Sequence, residues 1–164
     1  AHTPAHTSLA DQYYLSYGYN LPTRYRYNVR DVLPAHSEPG MVKGYEVSFI
    51  APGLNALEPA CAYLVMAEDK KAHGVLHRIS KQDLTRVKES EGAIYEWATL
   101  SVELRSGEVG AAQSLGRLLR GETGVPSKRY QQTLIEGALE HGLPAAYVNK
   151  LQEITSVISL VASE

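Results

Sequence analysis

Tyr17-Gly18-Tyr19-Asn20-Leu21 is the most informative stretch of the sequence, because it ends a run, Gln12 to Ser16, whose residues favour a β-strand. Gly18 allows the backbone to turn there, and such a loop can direct several N–H groups toward a bound anion. Much later, Glu91-Gly92 follows a segment with the pattern of a short helix, and a carboxylate at that point can transfer protons. Each feature alone is more often an ordinary turn or an exposed carboxylate, so it is their combination that indicates a site.

Length and charge fit one domain that binds a small molecule. At 164 residues the chain can bury a single core, and residues 12–164 are expected to form one domain after a disordered lead-in over residues 1–11. A formal net charge of −2 and a pI near 6.3 argue against nucleic-acid or anionic-membrane binding, which requires a concentrated basic face. We therefore expect a small-molecule ligand, no nucleic-acid partner and no membrane association.

Cysteine usage and hydropathy indicate the cytoplasm. Cys61 is the single cysteine, so no internal disulfide is possible and no oxidising compartment is required. No apolar run approaches the roughly 20 residues that span a bilayer. Residues 1–8 also lack the basic and apolar regions of a signal peptide. The expected location is cytoplasmic.

Strands are predicted through the first half of the chain. Val42 to Ile50 has the alternation of a strand with one apolar face. Two further apolar runs, Ala60 to Ala67 and Gly74 to Ile79, are interpreted as the arms of a hairpin. The charged segment Glu68-Asp69-Lys70-Lys71 between them is interpreted as the turn of that hairpin.

A short helix and two more strands are predicted next. Ser80 with Asp83 three residues later is typical of a helix N-terminus, and this helix is expected to end near Glu91. Over residues 94–104 the even-numbered positions are mainly apolar and the odd ones mainly polar, which is the period of a half-buried strand. Val109 to Leu119 is predicted to return as a second strand.

The C-terminal third changes to a helical period. Ser127 is predicted to cap a helix that His141-Gly142 ends, and Pro144 is predicted to open a second helix that runs to the C-terminus. Strands therefore come first and helices last, which argues against alternating βαβ units. The predicted fold class is α+β, a small curved mixed sheet or β-barrel packed by helices.

Other kinds of chemistry have weaker support. His73 and His77 stand four apart on a predicted strand, where neighbours on one face are two residues apart, so a metal pair is disfavoured. Cys61 lies in an apolar run, which indicates a buried and inert thiol. Arg24 to Tyr27 could contact single-stranded nucleic acid, but in an acidic chain four such residues are more typical of a solvated surface. A metal site is therefore not expected.

Four landmarks in order resemble the gamma-glutamylcyclotransferase family. They are a loop of the YGSNL type at Tyr17 to Leu21, the Glu91-Gly92 pair after a short helix, Pro126-Ser127-Lys128-Arg129-Tyr130 at a helix start, and the Gly142-Leu143-Pro144 break. The resemblance runs from about Tyr14 to Ile154, nearly the whole chain. Landmarks in a fixed order over that length are far more specific than any one of them.

The resemblance implies a cofactor-independent enzyme of the lyase or acyltransferase type. Members of the family let the α-amine of a gamma-glutamyl group attack its γ-carbonyl, which releases 5-oxoproline and an amine. Glu91 matches the catalytic glutamate that moves the proton, and Tyr17, Gly18, Tyr19, Asn20 and Leu21 match the loop that binds the glutamyl head. The implied partner is a small gamma-glutamyl molecule, and the implied assembly is a monomer or homodimer.

Two departures from the family pattern leave the substrate open. Tyr19 stands where the family usually has serine, and no tyrosine occurs near Leu115 or Gly116, where the family tends to carry one. The leading reading is an enzyme that cyclises the gamma-glutamyl group of a peptide, glutathione or a glutathione conjugate, and the departures favour a bulky conjugate of secondary metabolism. The alternatives are a gamma-glutamylamine cyclotransferase and a catalytically silent binding protein on the same fold.

Overall fold

A computed structural model describes residues 11–17, 34–51, 60–91, 95–118, 122–154 and 156. In chain order its strands and helices are β1 (Asp11–Ser16), β2 (His36–Ala51), β3 (Cys61–Ser80), α1 (Lys81–Glu91), β4 (Tyr95–Leu104), β5 (Val109–Leu118), β6 (Glu122–Thr123), α2 (Lys128–Glu140) and α3 (Ala145–Glu153).

Five of the strands close into a mixed barrel. The order around it is β3-β1-β5-β4-β2, and β2 pairs back onto β3, while the short β6 adds to β2. The pairing of β1 with β5 is parallel, and the other pairings between described strands are antiparallel. Because the helices pack around this barrel, the predicted α+β class is confirmed.

β3 is one continuous strand of 20 residues, so the predicted hairpin around Glu68 to Lys71 is wrong. The strand pairs with β2 on both sides of the charged segment, at Lys43 opposite Lys71 and at Tyr45 opposite Met66. Residues 67–70 lie opposite Gly44 alone, and Gly44 has a φ of 85°, which favours glycine. The charged residues therefore form a bulge in the ladder and do not end the strand.

α1 begins where β3 ends, as predicted. The Ser80 hydroxyl accepts a hydrogen bond from the Asp83 backbone N–H at 3.0 Å, which caps the first turn. The apolar side of the helix, Leu84 and Val87, packs in a buried cluster with Tyr14 of β1, Ile79 of β3 and the partly buried Trp97 of β4. This cluster fixes α1 against the outer face of the barrel.

Inside the barrel, the middle is filled by side chains. Leu15, Leu76 and Val102 are buried there, and Gly40 lies against them. A methyl group added at Gly40 would lie 2.6 Å from Cγ1 of Val102, closer than carbon atoms can approach. We refer to these four residues as the barrel waist, because they lie between the two mouths of the barrel.

α2 and α3 form a helical corner against the barrel. The Ser127 hydroxyl caps α2 by accepting from the Tyr130 N–H at 3.0 Å, and Gly142, with a φ of 68°, turns the chain after α2. α3 ends at Glu153, because Ile154 adopts an extended backbone, so the predicted helix to the C-terminus is wrong. The Gln131 amide donates hydrogen bonds to the carbonyls of Leu151 and Ile154, which gives partners to backbone groups at the end of α3.

Two buried tyrosines allow a matched test of this packing. The Tyr130 hydroxyl accepts from the backbone N–H of Ala62 at 2.9 Å, whereas the Tyr147 hydroxyl has no partner in the described part of the chain. Tyr130→Phe should lower the free energy of unfolding by about 1–3 kcal/mol, because it leaves a buried N–H unpaired. Tyr147→Phe removes the same atom and should cause no loss in urea unfolding. Equal losses in both variants would contradict the Ala62 bond.

Candidate active site

Tyr17 directly follows β1 and is buried in the main core. It is 4% exposed, and Ser16 before it makes the last pair of β1 with β3, opposite Val75. Gly18, Tyr19, Asn20 and Leu21 lie outside the described residues, so their predicted role in binding stays a prediction. The structure places the start of the predicted loop at the end of β1.

Glu91 is the last residue of α1, at the helix end that the sequence predicts. Only residues 92–94 separate it from Tyr95, which opens β4 and pairs with Leu118 at the end of β5. β5 runs parallel to β1, so both strands end at the same mouth of the barrel. The backbone of Glu91 is therefore held near the mouth at which Tyr17 follows β1.

The last turn of α1 is fixed by contacts to the neighbouring strands. Nζ of Lys88 lies 3.3 Å from Oε1 of Gln113 and 5.4 Å from the centre of the Trp97 ring. Gln113 is the residue of β5 that pairs with Tyr14 of β1. Because Glu91 is three residues beyond Lys88, its backbone lies about 4.5 Å farther along the helix.

A buried polar group lies directly behind the end of β1. His77 of β3 is 0% exposed, its Nε2 lies 2.8 Å from the Ser16 hydroxyl, and its Nδ1 lies 2.7 Å from the Ser37 hydroxyl. The Tyr14 ring stacks on the imidazole at 5.9 Å between centres. Sequence reasoning considered His77 only as a metal ligand. Strand pairing is the signal that would have linked it to the site.

The other residues considered for chemistry are not brought together. His73 contacts the Tyr147 ring at 5.3 Å, away from the serines that bind His77, and Cys61 is half-buried against the core. Burial, followed by repulsion from two nearby lysines, lowers the pKa of His73 below its ordinary value of 6.5, and burial raises the pKa of Tyr147. Neither shift involves Tyr17 or Glu91.

A cavity of about 600 Å³ opens at the opposite mouth of the barrel. That mouth is where β1, β2 and β5 begin and where β3 and β4 end, and the barrel waist separates it from Tyr17. Its lining includes Tyr13, Glu38, Leu76, Arg78, Leu104 and Glu108. The cavity is therefore distinct from the site that the sequence predicts.

Two kinds of feature are not found in the described ranges. Within them, no three side chains of histidine, cysteine, aspartate or glutamate are grouped so that they could hold a metal ion. No helix in the same ranges has both the length and the apolar character needed to cross a bilayer.

Known proteins share this architecture. Residues 71–151, which run from the bulge of β3 into α3, match the model of the AIG2-like family. A solved gamma-glutamyl cyclotransferase superposes with a TM-score of 0.83, over 94% of this chain and 94% of its own, at 22% sequence identity. The chain has a gamma-glutamyl cyclotransferase-like fold. The resemblance seen in the sequence is therefore confirmed.

Two further solved structures show how widely this fold tolerates sequence change. A human protein described as uncharacterized has a TM-score of 0.81 at 21% identity, with 94% of this chain and 93% of that chain covered. A yeast gamma-glutamyl cyclotransferase described as specific to glutathione has a TM-score of 0.64 at 12% identity, with 88% and 95% covered. A search of curated proteins found no significant match. At these sequence identities, the structural similarity to gamma-glutamyl cyclotransferases establishes the fold.

Proposed function

We propose that this chain is a gamma-glutamyl cyclotransferase-type enzyme that converts a gamma-glutamyl compound into 5-oxoproline and a free amine. The observation that carries the proposal is the placement of Tyr17 and Glu91. In a cyclotransferase-like barrel, the end of β1 and the end of α1 reach the same mouth. The predicted glutamyl-binding loop and the predicted catalytic carboxylate therefore start from neighbouring positions.

The proposed reaction moves two protons from the α-nitrogen to the leaving nitrogen and closes one ring. The Glu91 carboxylate accepts a proton from the α-ammonium group, and the resulting amine attacks the γ-carbonyl carbon. A bond forms between this nitrogen and the carbonyl carbon, and the amide bond breaks as Glu91 returns its proton to the leaving nitrogen. The attacking nitrogen gives up its second proton in the same way, so the products are the lactam and the ammonium form of the released amine. No water is consumed. Closure of a five-membered ring gains much of its rate from proximity, so the enzyme mainly has to fold the substrate.

Backbone N–H groups are the proposed ligands of the glutamyl head. The segment Gly18 to Leu21, which the sequence predicts to be a loop, comes directly after the buried Tyr17 and the paired end of β1. Main-chain donors can bind an α-carboxylate or a developing oxyanion without a cationic side chain. Tyr19 in place of the usual serine adds bulk to this loop, which favours a specialised leaving group such as a glutathione conjugate of secondary metabolism.

The experiment that tests the function is release of 5-oxoproline, measured by mass spectrometry. The panel comprises glutathione, a gamma-glutamyl dipeptide, a glutathione S-conjugate and gamma-glutamyl-lysine, each with and without EDTA. We expect release from at least one of them, unaffected by EDTA, with the preferred compound reporting the leaving group. Release mainly from gamma-glutamyl-lysine would identify a gamma-glutamylamine enzyme. A folded protein that releases nothing from any compound would favour the silent binding protein, with Tyr19 as the suspected cause.

A further inference from the structure

We propose that His77 is a positioning residue for the glutamyl-binding loop, because it ties the last residue of β1 to the neighbouring strands. This inference rests on the proposed function. The Ser16 hydroxyl is bonded to Nε2 of His77 and the Ser37 hydroxyl to Nδ1, so the imidazole bridges β1 and β2 across β3. A neutral imidazole has one donor and one acceptor, and a serine hydroxyl can play either part. Both ring nitrogens are thus satisfied in either tautomer.

The bond to Ser16 acts where the backbone ladder stops. Ser37 is the direct pair of His77 on β2, but Ser16 is paired with Val75, two residues from His77 along β3. The side-chain bond therefore reaches diagonally to the last residue of β1. Beyond this residue the pairing of β1 with β3 ends, and Tyr17 begins the loop.

Two further contacts hold the same strand end. The Ser114 hydroxyl of β5 donates to the carbonyl of Leu15 at 3.0 Å, with both groups buried. On the other side the carbonyl oxygen of Ser16 lies so close to Gly74 that a methyl group there would be 2.4 Å away. The end of β1 is thus held by β5 on one flank and by Gly74 and His77 of β3 on the other.

This arrangement suits a loop that binds through its backbone. Backbone N–H donors bind a ligand well only when they are correctly placed. A shift of about 0.5 Å in the loop would therefore weaken all of its hydrogen bonds to the substrate together. His77 does not touch the substrate in this proposal, and its effect passes through Ser16. Where the loop binds the α-carboxylate, loss of the Ser16 bond should raise KM and change kcat little, because substrate and transition state then use the same loop contacts.

The test compares Ser16→Ala with Ser127→Ala. Both remove the hydroxyl of a buried serine, but the Ser127 hydroxyl accepts from the Tyr130 N–H at the start of α2, whereas the Ser16 hydroxyl is bonded to His77 at the end of β1. With the preferred substrate of the panel, we expect Ser16→Ala to raise KM about three- to tenfold. This change corresponds to the net contribution of one hydrogen bond. Ser127→Ala should lower stability and leave KM within about twofold of the wild type. A comparable rise in both variants, or in neither, would overturn the proposal.

Two substitutions of His77 refine the test. The longer amide of His77→Gln reaches toward the position of Nε2 and so toward Ser16, whereas the shorter His77→Asn reaches toward Nδ1 and so toward Ser37. We expect His77→Asn to raise KM as Ser16→Ala does, and His77→Gln to restore most of the loss. If His77→Gln is no better than His77→Asn at equal stability, His77 acts only as core packing and the proposal fails.

A measurement that does not depend on turnover separates this inference from the proposed function. Amide hydrogen exchange at Leu15, Ser16 and Tyr17, followed by NMR, should be at least about tenfold faster in Ser16→Ala and His77→Asn than in Ser127→Ala. Faster exchange in a protein without 5-oxoproline release would reject the function and keep His77 as the anchor of the strand end. Unchanged exchange would overturn the positioning role, whatever the activity.

Discussion

Glu91→Gln is expected to reduce kcat for 5-oxoproline release by at least about 100-fold, while the protein stays folded and still binds substrate. Glutamine has almost the same volume as glutamate but cannot accept the proton of the α-ammonium group. General acid and base groups typically contribute 100- to 10,000-fold to rate, and Glu91 is proposed to act as both. Steady-state kinetics measure the loss, and calorimetric titration of the variant measures substrate binding without turnover.

Glu89→Gln is the matched control for that substitution. Glu89 occupies the same last turn of α1, and its side chain is exposed to solvent. Both variants remove one negative charge from the same helix end, so a general electrostatic effect would slow both. We expect Glu89→Gln to retain wild-type kcat. Normal turnover in Glu91→Gln would remove Glu91 from the mechanism.

Gly74→Ala is expected to lower the free energy of unfolding by about 3 kcal/mol, the upper range for overpacking a core. The added methyl group would lie 2.4 Å from the Ser16 carbonyl oxygen and 3.2 Å from Cδ1 of Leu15. The first of these is a backbone atom in a paired strand, so it cannot move aside without distorting the end of β1. Urea unfolding followed by circular dichroism measures the change.

Gly110→Ala provides the comparison for this loss. Gly110 is an exposed residue of β5, and no atom lies within 4 Å of the position that a methyl group would take. The substitution should be neutral or slightly stabilising, because alanine loses less backbone entropy on folding. If both glycine variants lost the same stability, close packing at the end of β1 would not be the cause.

Local signals explain what the sequence predicted correctly. α1 was predictable because Ser80 and the Asp83 N–H form a cap within one turn, and the end of α2 was predictable because Gly142 supplies a positive φ. The order of strands before helices was enough for the fold class. The position of Glu91 at a helix end follows from the same short-range pattern.

Long-range contacts explain which features the sequence did not predict. Residues 67–70 look like a turn when read alone, but pairing with β2 on both sides of Gly44 keeps them in one strand. α3 ends at Glu153 because Gln131, on a different helix, binds the carbonyls released there. The bridge through His77 likewise depends on which strands are neighbours, and a single sequence does not specify that register.

The parallel pairing of β1 with β5 has a consequence for how the protein is made. Gln113 is synthesised 99 residues after its partner Tyr14, so the barrel stays open until β5 has been made. Such distant pairing is slow to form and leaves strand edges available to other chains in the meantime. The mouth that carries Tyr17 and Glu91 is therefore completed only after β5 has been made. A nascent chain can form helices and strands before its candidate active site is assembled.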